Sequence, residues 1–177
     1  MRKLKKNLLA VGMLFLMGTY SFAGETYTNE DAKFKITFPS SYDVSSDQQD
    51  GVTVLSLSAT YQSMILLVSV FVYEEVVPED EYAVKVAEGI ITTADAFNSK
   101  FNEKKCVRWN GGGSNPGLKN AIKGKVSNGS GGSFNFFGNI YITMAYGIEY
   151  RISALSTSKK GFDAGIESAF VNSFKLL

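Results

Sequence analysis

The chain contains no histidine, one cysteine (Cys106) and one tryptophan (Trp109). Without histidine there are no Ser-His or Cys-His nucleophile pairs, no histidine-ligated zinc and no ordinary near-neutral general base. Carboxylates remain, and hydrolysis of a glycoside or peptide would need a positioned pair of them. No pair stands out by spacing among the 17 acids. Glu74-Glu75 and Glu79-Asp80-Glu81 cluster around Pro78, but a calcium loop needs oxygen ligands alternating about a turn glycine, and that spacing is missing. The second group fits the first turn of a helix, where acids oppose the positive end of the helix dipole. Asp163 and Glu167 lie one helical turn apart on the expected solvent side. Glu149 and Arg151 share one face of a strand, where a surface ion pair is the expectation; if buried they would have to pair. No catalytic residue, metal ligand or cofactor is expected.

The residues that invite a binding role are Arg108, Trp109 and the loop Asn110 to Gly117 (NGGGSNPG) that follows them. Gly111, Gly112 and Gly113 resemble a phosphate cradle only in composition. A P-loop needs Lys followed by Ser or Thr at a helix start, and a dinucleotide loop needs a strand-to-helix crossover. Here the loop joins two expected strands, and Lys119 has no hydroxyl residue after it. Trp109 has two readings. One is an exposed aromatic beside an arginine, a common interface anchor. The other is a tryptophan closing the edge of the core, as large aromatics are mostly buried. Arg108, Trp109, Gly111, Gly112 and Gly113 are the candidate binding residues. Cys106 has no partner for an internal disulfide, and a free cysteine is expected to be buried and inert.

Elements must position these residues, and the first segment has another purpose. Arg2, Lys3, Lys5 and Lys6 precede an apolar run from Leu8 to Met17, and Ser21-Phe22-Ala23 offers small residues where a signal peptidase cuts. Residues 1–23 therefore read as a secretory signal peptide, and residues 24–177 as one exported domain, periplasmic or secreted. Gly24 stands where a lipoprotein would need cysteine, so no lipid anchor is expected. The signal holds 4 of the 18 basic residues and no acid, which leaves 14 basic against 17 acidic residues, a net of −3. That balance argues against nucleic acid as partner, and no later run suits a permanent membrane span.

Residues 33–38 alternate, with Phe34, Ile36 and Phe38 on one side, as in a half-buried strand. Residues 24–31 read as a frayed lead-in, 42–44 as a short strand, 47–51 as a turn and 52–59 as a strand. Residues 64–73 (MILLVSVFVY) are apolar on both alternating sides, so that strand must be covered on both. Pro78 opens a helix whose stripe is Tyr82, Val86, Ile90, Ala94, Phe97 and Phe101, with Gly89 a weak point inside it. Strands are expected at 104–109 and 118–127, a turn at 128–133, and a hairpin of 134–145 and 146–156 about Tyr146-Gly147. A final helix follows from Lys159, with the stripe Phe162, Ile166, Ala169, Phe170, Ser173 and Phe174. Short connections between strands predict a mainly antiparallel sheet.

Three places resemble the PsbP-like superfamily, which includes the PsbP subunit of photosystem II, DcrB-type envelope proteins and a Ran-binding import factor. They are Phe34-Lys35-Ile36-Thr37-Phe38-Pro39 with Tyr42, the strand Tyr150-Arg151-Ile152-Ser153, and the ending Ser173-Phe174-Lys175. With the element order, the likeness runs from Tyr27 to Leu177. It implies an α+β fold, a three-layer α/β/α sandwich around a mainly antiparallel sheet, and a binding role without catalytic residues. The expected function is that of a non-enzymatic accessory protein of the cell envelope that contacts another protein. The alternative is a small-molecule binder or hydrolase, with a pocket between sheet and long helix lined by Phe134, Phe136, Phe137, Tyr141 and Tyr146.

Overall fold

The structure is a computed structural model that describes residues 24–99, 105–127 and 133–177. The expected signal peptide, Phe101 and most of the 128–133 turn lie outside the described residues. The fold is of the α+β class: two antiparallel sheets and two helices. The strands are β1 (Glu25–Asn29), β2 (Phe34–Phe38), β3 (Asp43–Gln49), β4 (Val52–Tyr61), β5 (Met64–Tyr73), β6 (Cys106–Arg108), β7 (Gly117–Ser127), β8 (Ser133–Ala145), β9 (Ile148–Ser156) and β10 (Lys175–Leu176). The helices are α1 (Tyr82–Ala96), entered through a short 3-10 turn at Glu79–Glu81, and α2 (Ala164–Ser173). The larger sheet has seven strands in the order β3-β4-β5-β9-β8-β7-β6, and the smaller runs β1-β2-β10.

β5 sits inside the larger sheet between β4 and β9, and its alternation divides the core in two. Met64, Leu66, Val68 and Val70 join Tyr150, Ile152 and Ala154 of β9, with Phe34, Ile36 and Phe38 of the small sheet and Ile166, Phe170 and Phe174 from α2 and its end. Ile65 and Leu67 pack against a second cluster, where Val86, Ile90 and Ala94 of α1 meet Ile140, Ile142 and Met144 of β8. Successive strand residues point to opposite sides, so each cluster takes one face of the sheet.

Several elements differ from the sequence reading. Residues 25–29 are a strand, not a lead-in: β1 pairs with β2 along its length, from Glu25 opposite Phe38 to Asn29 opposite Phe34. The polar segment Asp43–Gln49 is a full strand, and the turn is confined to Asp50 and Gly51, both at positive φ. α1 stops at Ala96 although apolar spacing continues, because Asn98 takes a left-handed turn at φ 48°. β10 was not foreseen. The hairpin at Tyr146 (φ 57°) and Gly147 (φ 75°) is as expected, since two left-handed residues suit a tight hairpin turn.

The expected surface pair Glu149–Arg151 is instead lodged beneath α1. Glu149 is 1% exposed. Arg151 Nε donates to its Oε1 at 2.7 Å, and the Tyr73 hydroxyl donates to its Oε2 at 2.6 Å. Arg151 also reaches Thr93 Oγ1 of α1 at 3.3 Å and lies 4.1 Å over the Phe71 ring. Gly89 is the helix position directly above: a Cβ there would stand 2.2 Å from Glu149 Oε1 and 3.3 Å from Ile142 Cδ1. The glycine that looked like a weak point is the space the carboxylate occupies.

Gly89→Ala should therefore destabilise the protein by about 1–3 kcal/mol, the usual cost of overpacking, although alanine favours an exposed helix by ~1 kcal/mol. Urea unfolding measures it. An unchanged or raised midpoint would show that Glu149 does not bear on the helix.

Candidate functional site

The glycine loop closes on itself and on Trp109. Trp109 N–H donates to the Gly117 carbonyl at 2.9 Å, Gly113 N–H to Asn110 O at 3.0 Å, and Asn115 Nδ2 to Gly112 O at 2.9 Å. The backbone at Gly111 lies against the indole, where a Cβ would come within 2.0 Å of Trp109 Cζ2. A Cβ on Gly112 would meet Thr143 Oγ1 at 2.2 Å, and that hydroxyl donates to Pro116 O at 2.8 Å. Gly113 stands clear in a left-handed turn, φ 71°. Two of the three glycines are thus needed for close approach.

Trp109 is half-buried, its ring edge-on to Tyr141 at 5.3 Å and tilted against Phe174 at 6.0 Å. It closes the edge of the core and also forms one wall of an open cleft of about 580 Å³. The cleft runs from Asn110 and the glycines to Asn172, Phe174 and Lys175 at the end of α2. Trp109, Gly111, Gly112 and Gly113 come together there. Arg108 does not: it is exposed, absent from the cleft wall, and turned by strand alternation toward the face that Cys106 shares with α1. The sequence reading missed the opposite wall, which arrives some sixty residues later from the chain's end.

Glu167 is not the solvated residue expected from its spacing. It is 6% exposed. Its Oε1 accepts from the Tyr141 hydroxyl, from Asn139 Nδ2 at 2.5 Å and from Lys119 Nζ at 3.3 Å. Asp163 also has work: its carboxylate caps α2, accepting from Gly165 N–H at 2.7 Å and Ile166 N–H at 3.0 Å. Glu167 therefore fixes Tyr141, and Tyr141 supports Trp109 from behind. Burial, reinforced by the hydrogen bond to Glu167, raises the Tyr141 phenol well above its ordinary value of 10.0. Burial with Glu149 does the same to Tyr73, and burial to Tyr150.

The aromatics expected in a pocket beside α1 are dispersed. Phe134 and Tyr146 are exposed, Phe136 meets Phe97 edge-on by α1, and Tyr141 faces the other cluster. Cys106 is half-buried at the rim of the α1 cluster, where desolvation raises its thiol pKa. The acids Glu74, Glu75, Glu79, Asp80 and Glu81 are exposed. Asp50, Glu74, Glu75 and Glu81 border a second open cleft of about 660 Å³. No helix among the described residues is long and apolar enough to cross a membrane.

No family model matches the chain, and no curated protein matches it. A solved structure from Bacteroides thetaiotaomicron VPI-5482 is similar at a TM-score of 0.48 and 12% identity. The match covers 87% of this chain and 48% of that one, so the chain spans about half the length of that structure.

Two outcomes follow. Glu167→Ala should cost about 1–3 kcal/mol, because it strands the buried Tyr141 hydroxyl and weakens the hold on part-buried Asn139, while Lys119 returns to water; urea unfolding followed by Trp109 fluorescence reads both stability and site. The raised phenols also set an alkaline limit. Above pH ~10 the unfolded chain has released tyrosine protons that the folded chain keeps, so stability falls as pH rises. Below that pH these groups leave stability unchanged. Melting temperatures that stay flat through alkaline titration would contradict buried, protonated tyrosines.

Proposed function

We propose that the chain is an exported, non-enzymatic accessory protein of the cell envelope that holds another protein at the Trp109 cleft. The observation that carries this reading is the cleft itself: an aromatic wall, a loop with almost no side chains, and exposed amide and ammonium groups at Asn110, Asn172 and Lys175. Hot spots at protein interfaces favour an aromatic anchor amid near-neutral contacts. Export rests on the pattern in residues 1–23. The non-enzymatic reading is supported by the lack of histidine and by two buried carboxylates that are fully occupied inside the fold. We further read the arrangement of α1, the seven-stranded sheet, and α2 with the small sheet as a three-layer α/β/α sandwich of PsbP-like kind. Its supports are the two core clusters and Ser173, whose Oγ accepts from Thr37 N–H at 3.0 Å and so ties α2 to β2.

A second reading, a small-molecule binder, is favoured by the cleft volume, which falls within the usual ~300–1,000 Å³ of ligand sites. The test separates the two. Asn172 is exposed and, among the described residues, its side chain bonds Ser168 Oγ alone, so Asn172→Arg fills the cleft while stability stays within about 0.5 kcal/mol. Tagged protein should capture one stoichiometric partner from native envelope extract, and Asn172→Arg should lose it. Capture unaffected by Asn172→Arg moves the interface elsewhere. No capture, with a thermal shift from a small-molecule screen that Asn172→Arg abolishes, favours the second reading.

A further inference from the structure

β7 and β8 are covered on one face by α1; on the other, α2 reaches Lys119, Asn139 and Tyr141 through Glu167, and the exposed positions lie farther along, at Lys123, Lys125 and Asn135. On that second face β7 presents Lys119, Lys123 and Lys125, paired in register with Tyr141, Phe137 and Asn135 of β8. Lys119 Nζ sits 4.9 Å from the Tyr141 ring centre and Lys123 Nζ 5.8 Å from that of Phe137. Lys119 pairs with Glu167. Lys123 and Lys125 are exposed and have no ion pair among the described residues. The turn that carries the chain from β9 onto this face adds exposed Lys159 and Lys160. The acids near these lysines, Asp163 and Glu167, are engaged by backbone amides and by buried partners.

Four unpaired cations, Lys123 and Lys125 on the sheet and Lys159 and Lys160 on the turn, therefore stand on this side of a chain whose residues 24–177 are net acidic, with Lys119 held by Glu167. The acids lie elsewhere. β3, with exposed Asp43 and Asp47, is five strands from β7, or about 24 Å at the spacing of paired strands. That is about three screening lengths at physiological salt, so those acids do not cancel attraction felt at β7.

We propose that this strip is a docking face for the anionic headgroups of a membrane surface. Strand side chains stand perpendicular to a sheet, so the lysines of β7 project together toward a plane. Neither the cleft at the Trp109 loop nor the one near Glu74 includes a lysine of the strip. Val107, 52% exposed and opposite Lys119 in register, adds an apolar side chain at the headgroup boundary. Clusters of four to eight cations near an anionic leaflet bind at about 1 kcal/mol per charge, or roughly five-fold each. The strip is distinct from the cleft and does not rest on the protein-partner reading.

The test uses the chain from Gly24 onward, the residue that follows the signal-peptide pattern of residues 1–23. Its sedimentation with phosphatidylcholine vesicles, with and without phosphatidylglycerol, is compared at low and high salt. Binding should need phosphatidylglycerol and fall with salt. Lys123→Gln with Lys125→Gln should weaken it about 25-fold with the melting curve unchanged, and Asn172→Arg should leave it intact. Absence of binding, equal binding to phosphatidylcholine alone, or binding that survives the double variant would overturn the proposal. So would capture of an acidic protein that the double variant abolishes, if vesicles are ignored.

Discussion

A strand that is apolar on both sides can face water on neither, and β5 places that demand in the middle of the molecule. With β4 on one side and β9 on the other it is interior to the sheet, and β9 repeats the pattern, buried along all but one of its nine positions. Both faces must therefore find apolar cover. One is met by the stripe of α1. The other is met by α2 together with β2, whose Phe34, Ile36 and Phe38 are wholly buried. The small sheet is explained by the same need: α2 is ten residues long and cannot by itself cover what β5, β9 and β4 expose.

Apolar cover is not directional, and the helices are set by something more specific. Each helix–sheet interface holds one buried carboxylate, one tyrosine donor and one cation: Glu149 with Tyr73 and Arg151 beneath α1, Glu167 with Tyr141 and Lys119 beneath α2. In the first the carboxylate rises from the sheet into a gap made by Gly89; in the second it descends from the helix. Such groups lose hydration on burial, and their pairing does little more than offset that loss. What they supply is register: sliding α2 by a turn would carry Glu167 away from its sheet partners and leave a charge unpaired in the core, at a cost of several kcal/mol, and sliding α1 would bring a side chain to the place where only Gly89 clears Glu149.

Legibility in the sequence follows from which forces are local. β5 was readable to the residue because a ten-residue apolar run rich in β-branched and aromatic residues reads as a strand buried on both sides, and the Tyr146-Gly147 turn because its chemistry is carried by adjacent residues. β1 and β10 were not, since Glu25–Asn29 and Lys175–Leu176 are strands only by virtue of pairing with β2. Glu167 was misread for the same reason: its partners Lys119, Asn139 and Tyr141 are 48, 28 and 26 residues away. Half of the candidate site was visible as a tryptophan beside a glycine loop. The other half, Asn172 to Leu176, carries no local mark, because it becomes a wall only when the chain end returns to the sheet.

That return is fixed by the core rather than by the cleft. Leu177 N–H donates to Lys33 O at 3.0 Å, and the Tyr146 hydroxyl donates to Leu177 O at 2.9 Å, so the last residues are held from two sides. Trp109 is held by Tyr141 and Phe174, and Tyr141 by Glu167. The cleft thus inherits its shape from buried contacts, whereas the exposed groups on its wall, the side chains of Asn110, Asn172 and Lys175, carry almost none of the fold. A surface built this way can change its selectivity through those three side chains while the sheet, the two carboxylates and the tryptophan stay as they are. The reverse does not hold: a change at Tyr141 or Glu167 alters the wall that Trp109 presents, even though neither residue lines the cleft.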